Sequence, residues 1–138
     1  MSILIDSNVF SDLMRPRPDP RVVDFFKSVP VAQQSMSVLT VGEIRYGIQR
    51  LPMGVRRDRL TAWLEDEVVA TLGDRILPMT LAVAERWGQL KAEAGRTLPV
   101  VDSMIAATAL HHGLDLATRN TNDFVGLGLR LIDPFAAA

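Results

Sequence analysis

Three apolar residues running straight into an acid, Ile3-Leu4-Ile5-Asp6, constrain this chain more than any other stretch. A run this short, β-branched at both ends, predicts a buried strand of the parallel-sheet kind, apolar on both faces. Such a strand needs other strands beside it and helices over it. In open α/β sheets the carboxyl ends of the strands face a crevice where ligands sit. Asp6 is therefore expected at such a rim. The competing expectation is local, because Asp, Ser and Asn all make good helix N-caps.

The remainder alternates between helical and extended patterns. A short helix is expected from Val9 to Met14, ended by Arg15-Pro16-Arg17-Pro18, since proline cannot continue a helix and pushes its predecessor to extended geometry. Asp19-Pro20 reads as an N-cap followed by the first helical residue of a helix to about Ser28. Ser35 to Val38 is a second strand, and Thr40 to Gln49 a helix with Leu39, Ile44 and Ile48 on its buried side. A longer helix is expected from Gly54 to about Leu72, with Leu60, Trp63, Leu64 and Val68 on one face and Arg56, Arg57 and Arg59 on a solvated one. Ile76 to Met79 is a third strand, placed at an edge by Pro78. Helices over Leu81 to Ala94 and Val100 to His112 follow, the second closed by Gly113. Leu116 to Thr118 and Leu129 to Ile132 complete five strands. Strands alternating with helices predict a single α/β domain over residues 1–138, a three-layer α/β/α sandwich around a parallel sheet.

Composition narrows the chemistry. The chain of 138 residues is long enough to bury a core, and 48% hydrophobic with 22% charged residues is a globular balance. A net charge of −1 provides no global basic field, so any surface for nucleic acid must be local. With no cysteine, disulfides, zinc–thiolate sites and cysteine nucleophiles are excluded. No apolar run approaches the roughly 18 residues of a membrane span, and no signal-peptide pattern opens the chain, so no membrane partner and a cytoplasmic location are expected.

Four acids recur at the same kind of place. Besides Asp6, Glu43 follows the second strand in Thr40-Val41-Gly42-Glu43, a spacing that also fits a capping box. Asp102 lies in a first helical turn, where it favours the helix dipole, yet it shares its helical side with Ile105, Ala106 and Ala109. Asp123 follows the fourth strand in Thr118-Arg119-Asn120-Thr121-Asn122-Asp123, where Asx turns are the simple alternative. If these carboxylates converge, two unit charges about 4 Å apart repel by about 4 kcal/mol at an effective dielectric near 20. Protonation or a divalent cation must relieve that repulsion. An all-oxygen donor set selects a hard ion, Mg²⁺ or Mn²⁺, which pairs with phosphates and assists phosphodiester hydrolysis.

These segments carry a resemblance. Ile3-Leu4-Ile5-Asp6-Ser7-Asn8, Ser37 to Ile48 around Glu43, Asp102 to Ala109 and Thr118 to Phe124 stand in the order and spacing of PIN-domain ribonucleases, particularly the VapC/FitB-like toxins of type II toxin–antitoxin systems. No one segment is diagnostic, but the ordered set is a strong signal. The resemblance implies a PIN-like sandwich with a five-stranded parallel sheet. It implies an acidic quartet of Asp6, Glu43, Asp102 and Asp123 holding Mg²⁺ or Mn²⁺ for RNA cleavage, supported by the polar Asn8, Thr118 and Asn120. It further implies a homodimer neutralised by a small cognate antitoxin of the VapB kind, with operator DNA bound only through that antitoxin.

Arg15, Arg17, Arg45 and Arg119 are basic residues near the expected rim, and Arg45 and Arg119 are the better placed to meet RNA phosphates. His111 and His112 end a helix and are expected to be structural, and both tryptophans are expected in the core or a dimer contact. Two rival classes make different demands. A haloacid-dehalogenase-like phosphotransferase needs a second acid where Asn8 stands. A non-catalytic peptide-binding module tolerates carboxamides at all four acids.

Overall fold

The computed structural model describes residues 2–136. Its sheet has five strands, all parallel: β1 Ile3–Ile5, β2 Gln34–Ser37, β3 Ile76–Leu77, β4 Asp115–Ala117 and β5 Leu131–Ile132, in the order β3-β2-β1-β4-β5. The expected α/β class and parallel sheet are present. The first strand lies at the centre, fully buried, and the strand before Pro78 lies at an edge as the proline requires.

Successive side chains of β1 point to opposite faces, and the two faces are covered by different helices. Ile3 and Ile5 pack with Val9, Phe10, Val22, Met36, Ile44 and Ile48, while Leu4 packs with Leu90, Ile105, Ala106, Ala109 and Leu116. On the first side lie α1 Ser7–Asp12, α2 Pro20–Ser28, α3 Val38–Gln49, α4 Val55–Ala62 and α5 Ala70–Leu72. On the second lie α6 Leu81–Glu93, α7 Val100–His112 and the short α8 Thr121–Phe124. This is the three-layer sandwich.

Several boundaries differ from expectation for physical reasons. The first helix starts at Ser7 rather than Val9, because the Asp6 carboxylate accepts from Ser7 N–H at 2.8 Å and caps it. The strand before α3 ends one residue early, and Ser37, not Thr40, is the N-cap: its hydroxyl accepts from Leu39 N–H at 3.0 Å. The Thr40–Glu43 capping box therefore does not form. The expected long helix is α4 and α5 joined by a π-helical stretch, Trp63–Val69. Its buried residues, Leu60, Leu64, Val68 and Leu72, recur every four positions. At 3.6 residues per turn that stripe drifts around an α-helix, and the wider π winding slows the drift. The fifth strand is shorter than expected and starts at Leu131.

Helix α7 presses on the sheet through residues with little side chain: Ala106, Ala107 and Ala109 are all fully buried. It ends on Gly113 at φ 66°, a left-handed conformation that glycine adopts without strain. Trp87 of α6 is half-buried against it and donates from Nε1 to Ser103 Oγ at 2.9 Å. Trp63 is half-buried and packs on the opposite core. His111 and His112 are exposed and meet edge to face at 4.8 Å. No helix among the described residues is long and apolar enough to cross a membrane.

Candidate active site

The strand order reverses between β1 and β4, since chain connections leave the centre toward β2 and β3 first and later toward β5. Such a switch point opens a crevice beyond the carboxyl ends of the two strands. Asp6 directly follows β1 there, and Thr118 directly follows β4. The rim is completed from both layers: α3 brings Glu43, and α8 brings Asp123. Helix α7 leads back into β4, so its first turn, with Asp102, comes to the same end.

Asp6 is 2% exposed and yet ionisable, a costly placement unless its oxygens are satisfied. They are. Oδ1 accepts from Ser7 N–H, and Oδ2 accepts from the Thr118 hydroxyl at 2.8 Å and from Asn8 Nδ2 at 3.4 Å. Asn8 Nδ2 also donates to Thr118 Oγ1 at 3.2 Å, and Asn8 Oδ1 accepts from Arg119 N–H at 3.0 Å. Thr118 Oγ1 further accepts from Asn120 N–H at 3.1 Å. The capping and the rim expectations for Asp6 thus hold together, one on each carboxylate oxygen. Asn8 and Thr118 stand where the sequence put them, while Asn120 joins through its backbone and its own side chain is exposed.

Asp6, Glu43 and Asp102 each feel other acids of the rim. Burial raises the proton affinity of Asp6 above the ordinary aspartate value, opposed by the bonds from Thr118 and Ser7 and reinforced by the charge of Asp123. Burial raises Glu43 too, opposed by the Ser7 hydroxyl and reinforced by Asp6. Asp102 is pushed from 3.8 to about 6, first by burial and then by the charges of Asp6, Asp123 and Glu43. All four carboxylates therefore share one electrostatic neighbourhood. Among the described residues, however, no three His, Asp or Glu side chains are gathered closely enough to hold one ion as they stand. The donor chemistry fits a hard divalent cation; the spacing is looser than a closed cage.

Glu43 sits in the second turn of α3, not in the first turn that the sequence suggested, because the helix begins at Val38. Arg45 Nη2 is paired with Glu65 at 2.8 Å, and the Arg119 guanidinium lies over the Phe135 ring at 4.6 Å. Arg15 is paired with the buried Asp12 at 2.8 Å. The sequence passed over Ser7, whose place between Asp6 and Glu43 was masked by its obvious fitness for capping. It also passed over Arg96, which donates from Nη2 to the carbonyls of Asp123 at 3.2 Å and Val125 at 2.8 Å, and nothing in the sequence pattern signals that contact.

Comparison with known proteins identifies the family. The PIN domain profile matches residues 3–127. A VapC ribonuclease of Sinorhizobium fredii is 36% identical over 99% of both chains. Toxin FitB of Neisseria gonorrhoeae is 35% identical, over 96% of this chain and 98% of its own. The solved structure of FitAB bound to a DNA fragment superposes with a TM-score of 0.93 at 32% identity, covering 99% of this chain and 97% of that one. The chain belongs to the PIN-domain family.

Proposed function

We propose that residues 1–138 form a single PIN domain acting as an endoribonuclease, the toxin of a toxin–antitoxin pair, which hydrolyses RNA phosphodiester bonds with Mg²⁺ or Mn²⁺. The observation that carries this reading is the shared acidic rim, where Asp102 is raised to about 6 by burial and by the other three acids. Asp6, Glu43, Asp102 and Asp123 would hold the metal. When bound, such an ion supplies charge stabilisation for the phosphoryl oxygens and lowers the pKa of a bound water.

The chain's own residues prepare the site. Thr118 and Ser7 fix both oxygens of Asp6, and Asn8 ties that carboxylate to the start of the β4–α8 loop. Burial and the charges of the other three acids work against an ionised Asp102, so a cation held at the rim would favour its charged form. Arg119, with its backbone tied to Asn8, is the better placed arginine for an RNA phosphate; Arg45 must first leave Glu65. The likeness to toxin FitB and to FitAB on DNA supports a cognate VapB-like antitoxin as partner, operator DNA reached through it, a homodimer, and work in the cytoplasm.

The test is RNA cleavage by purified protein in Mn²⁺ or Mg²⁺. Asp6→Asn and Asp102→Asn are expected to lose cleavage while keeping the fold. Parent-like cleavage by folded Asp6→Asn protein overturns the reading. At 100 times its dissociation constant the metal should stabilise the parent by about 2.7 kcal/mol, and the variants less.

A further inference from the structure

Beside the acidic rim lies an open, mostly apolar groove of about 530 Å³, where Leu39, Ile44 and Val101 stand beside Ser7, Asn8, Glu43 and Tyr46. It shares Ser7, Asn8 and Glu43 with the rim, so a ligand lying in it is adjacent to a phosphate held at the acids. Tyr46 is 65% exposed, a large ring left in water. It stands three residues after Glu43 on α3, and residues at that spacing share a helix face. One turn further on, the Arg50 guanidinium lies 5.5 Å from the ring centre, with no carboxylate partner among the described residues.

Gly42 lines the same groove. A glycine inside a helix costs about 1 kcal/mol relative to alanine. Here a Cβ would meet nothing within 4 Å, so packing within the chain does not demand the glycine. Its missing side chain leaves the groove wall flat next to Glu43 and Tyr46. An exposed ring, an unpaired arginine beside it, and hydroxyl and amide groups close by are the parts with which proteins hold unstacked bases of single-stranded RNA.

We infer that Tyr46 is the stacking platform of a nucleotide subsite next to the acidic rim, taking one base of a single-stranded RNA while Arg50 faces the adjoining phosphate. This rests on the ribonuclease reading above. Stacking needs a ring and not its hydroxyl, so Phe should replace Tyr46 and Leu should not.

The test uses the full chain and short single-stranded RNAs that carry 2-aminopurine, a base whose fluorescence falls when it stacks, at successive positions. Binding is measured in Ca²⁺ and cleavage in Mn²⁺, for the parent, Tyr46→Phe and Tyr46→Leu, each checked by thermal melting. The parent and Tyr46→Phe are expected to quench one position. Tyr46→Leu should lose that quenching, bind about tenfold more weakly (about 1.4 kcal/mol), and show the loss in KM with kcat nearly kept. Parent-like quenching and binding by Tyr46→Leu overturn the subsite, and leave the ribonuclease reading intact if the parent cleaves. Tyr46→Leu that binds RNA normally but loses a protein partner assigns the face to protein and also overturns it. A folded parent that neither binds nor cleaves RNA overturns both.

Discussion

The Thr118 hydroxyl donates a 2.8 Å hydrogen bond to Asp6 Oδ2, joining the ends of two neighbouring strands across 112 positions of sequence. A hydroxyl has one proton to give and two lone pairs to accept with. Thr118 uses them all, because Asn8 Nδ2 and Asn120 N–H both donate to it, and its proton is thereby committed to Asp6. Thr118→Val keeps the shape and removes three bonds from a fully buried position. It should destabilise the fold by about 2–3 kcal/mol in urea at neutral pH, as bonds to charged groups do, and raise the proton affinity of Asp6 further. Thr118→Ser should recover most of both. A Val variant as stable as the parent would show that the bond does not hold the strand ends.

The acidic rim should make the protein less stable as pH rises. Below about pH 4 Asp102 is protonated in both folded and unfolded chains and contributes nothing. Between there and about 6 the unfolded chain ionises first, while the folded chain keeps its proton, so stability falls; above about 6 the penalty is constant. Asp102→Asn removes the penalty. With EDTA present it should be more stable than the parent by on the order of 1–2 kcal/mol at pH 7.5, allowing for solvent screening at a half-buried group, and no different near pH 4. Denaturant titrations at the two pH values decide it, and an equal difference at both would contradict the assignment.

Thr40 provides a test of packing inside α3. It is fully buried in α3, and its Oγ1 has no hydrogen-bond partner. Leaving a hydroxyl unpaired in an apolar place costs roughly 1–3 kcal/mol by mutational measures. Thr40→Val is close in shape and should raise stability by about 1 kcal/mol, seen as a higher denaturation midpoint with an unchanged slope. A drop in stability would reveal a bond to Oγ1 from outside the chain.

That same residue shows where sequence reading succeeds and fails. The periodicities of Ile3-Leu4-Ile5, of α2 and of α7 depend on which side of an element is buried, so they are legible locally, and those elements stand where expected. The order in which Asp6, Glu43, Asp102 and Asp123 follow strands or open helices was equally legible, because the topology of a parallel sheet sends such positions to one end. Thr40 and Glu43 have the spacing of a capping box, but Ser37, the last residue of β2, comes first and captures the cap. Local spacing cannot choose between two competent caps; the register of β2 on its neighbours does. The π-helical stretch was equally hidden, since a four-residue apolar repeat fits an α-helix about as well. Contacts between distant segments, such as Arg96 on α8, have no local trace at all.

Arg96 gives the last prediction. Helix α8 has four residues, too few for a helix to hold itself, and it carries Asp123. Phe124 anchors it in the core, while its C-terminal carbonyls receive the Arg96 guanidinium, a cation at the end of a helix where the dipole favours one. Since Arg96 is exposed, removing it should cost little global stability, under about 1 kcal/mol, but should loosen the segment that aims Asp123. Arg96→Ala is expected to speed amide exchange at residues 121–127 and to raise the Mn²⁺ concentration needed for half-maximal cleavage several-fold. Arg96→Lys keeps the charge and one donor, and should restore part of both. If exchange in that segment is unchanged in Arg96→Ala, the two carbonyl bonds do not brace Asp123, and the acid is held by Phe124 and the β4 end alone.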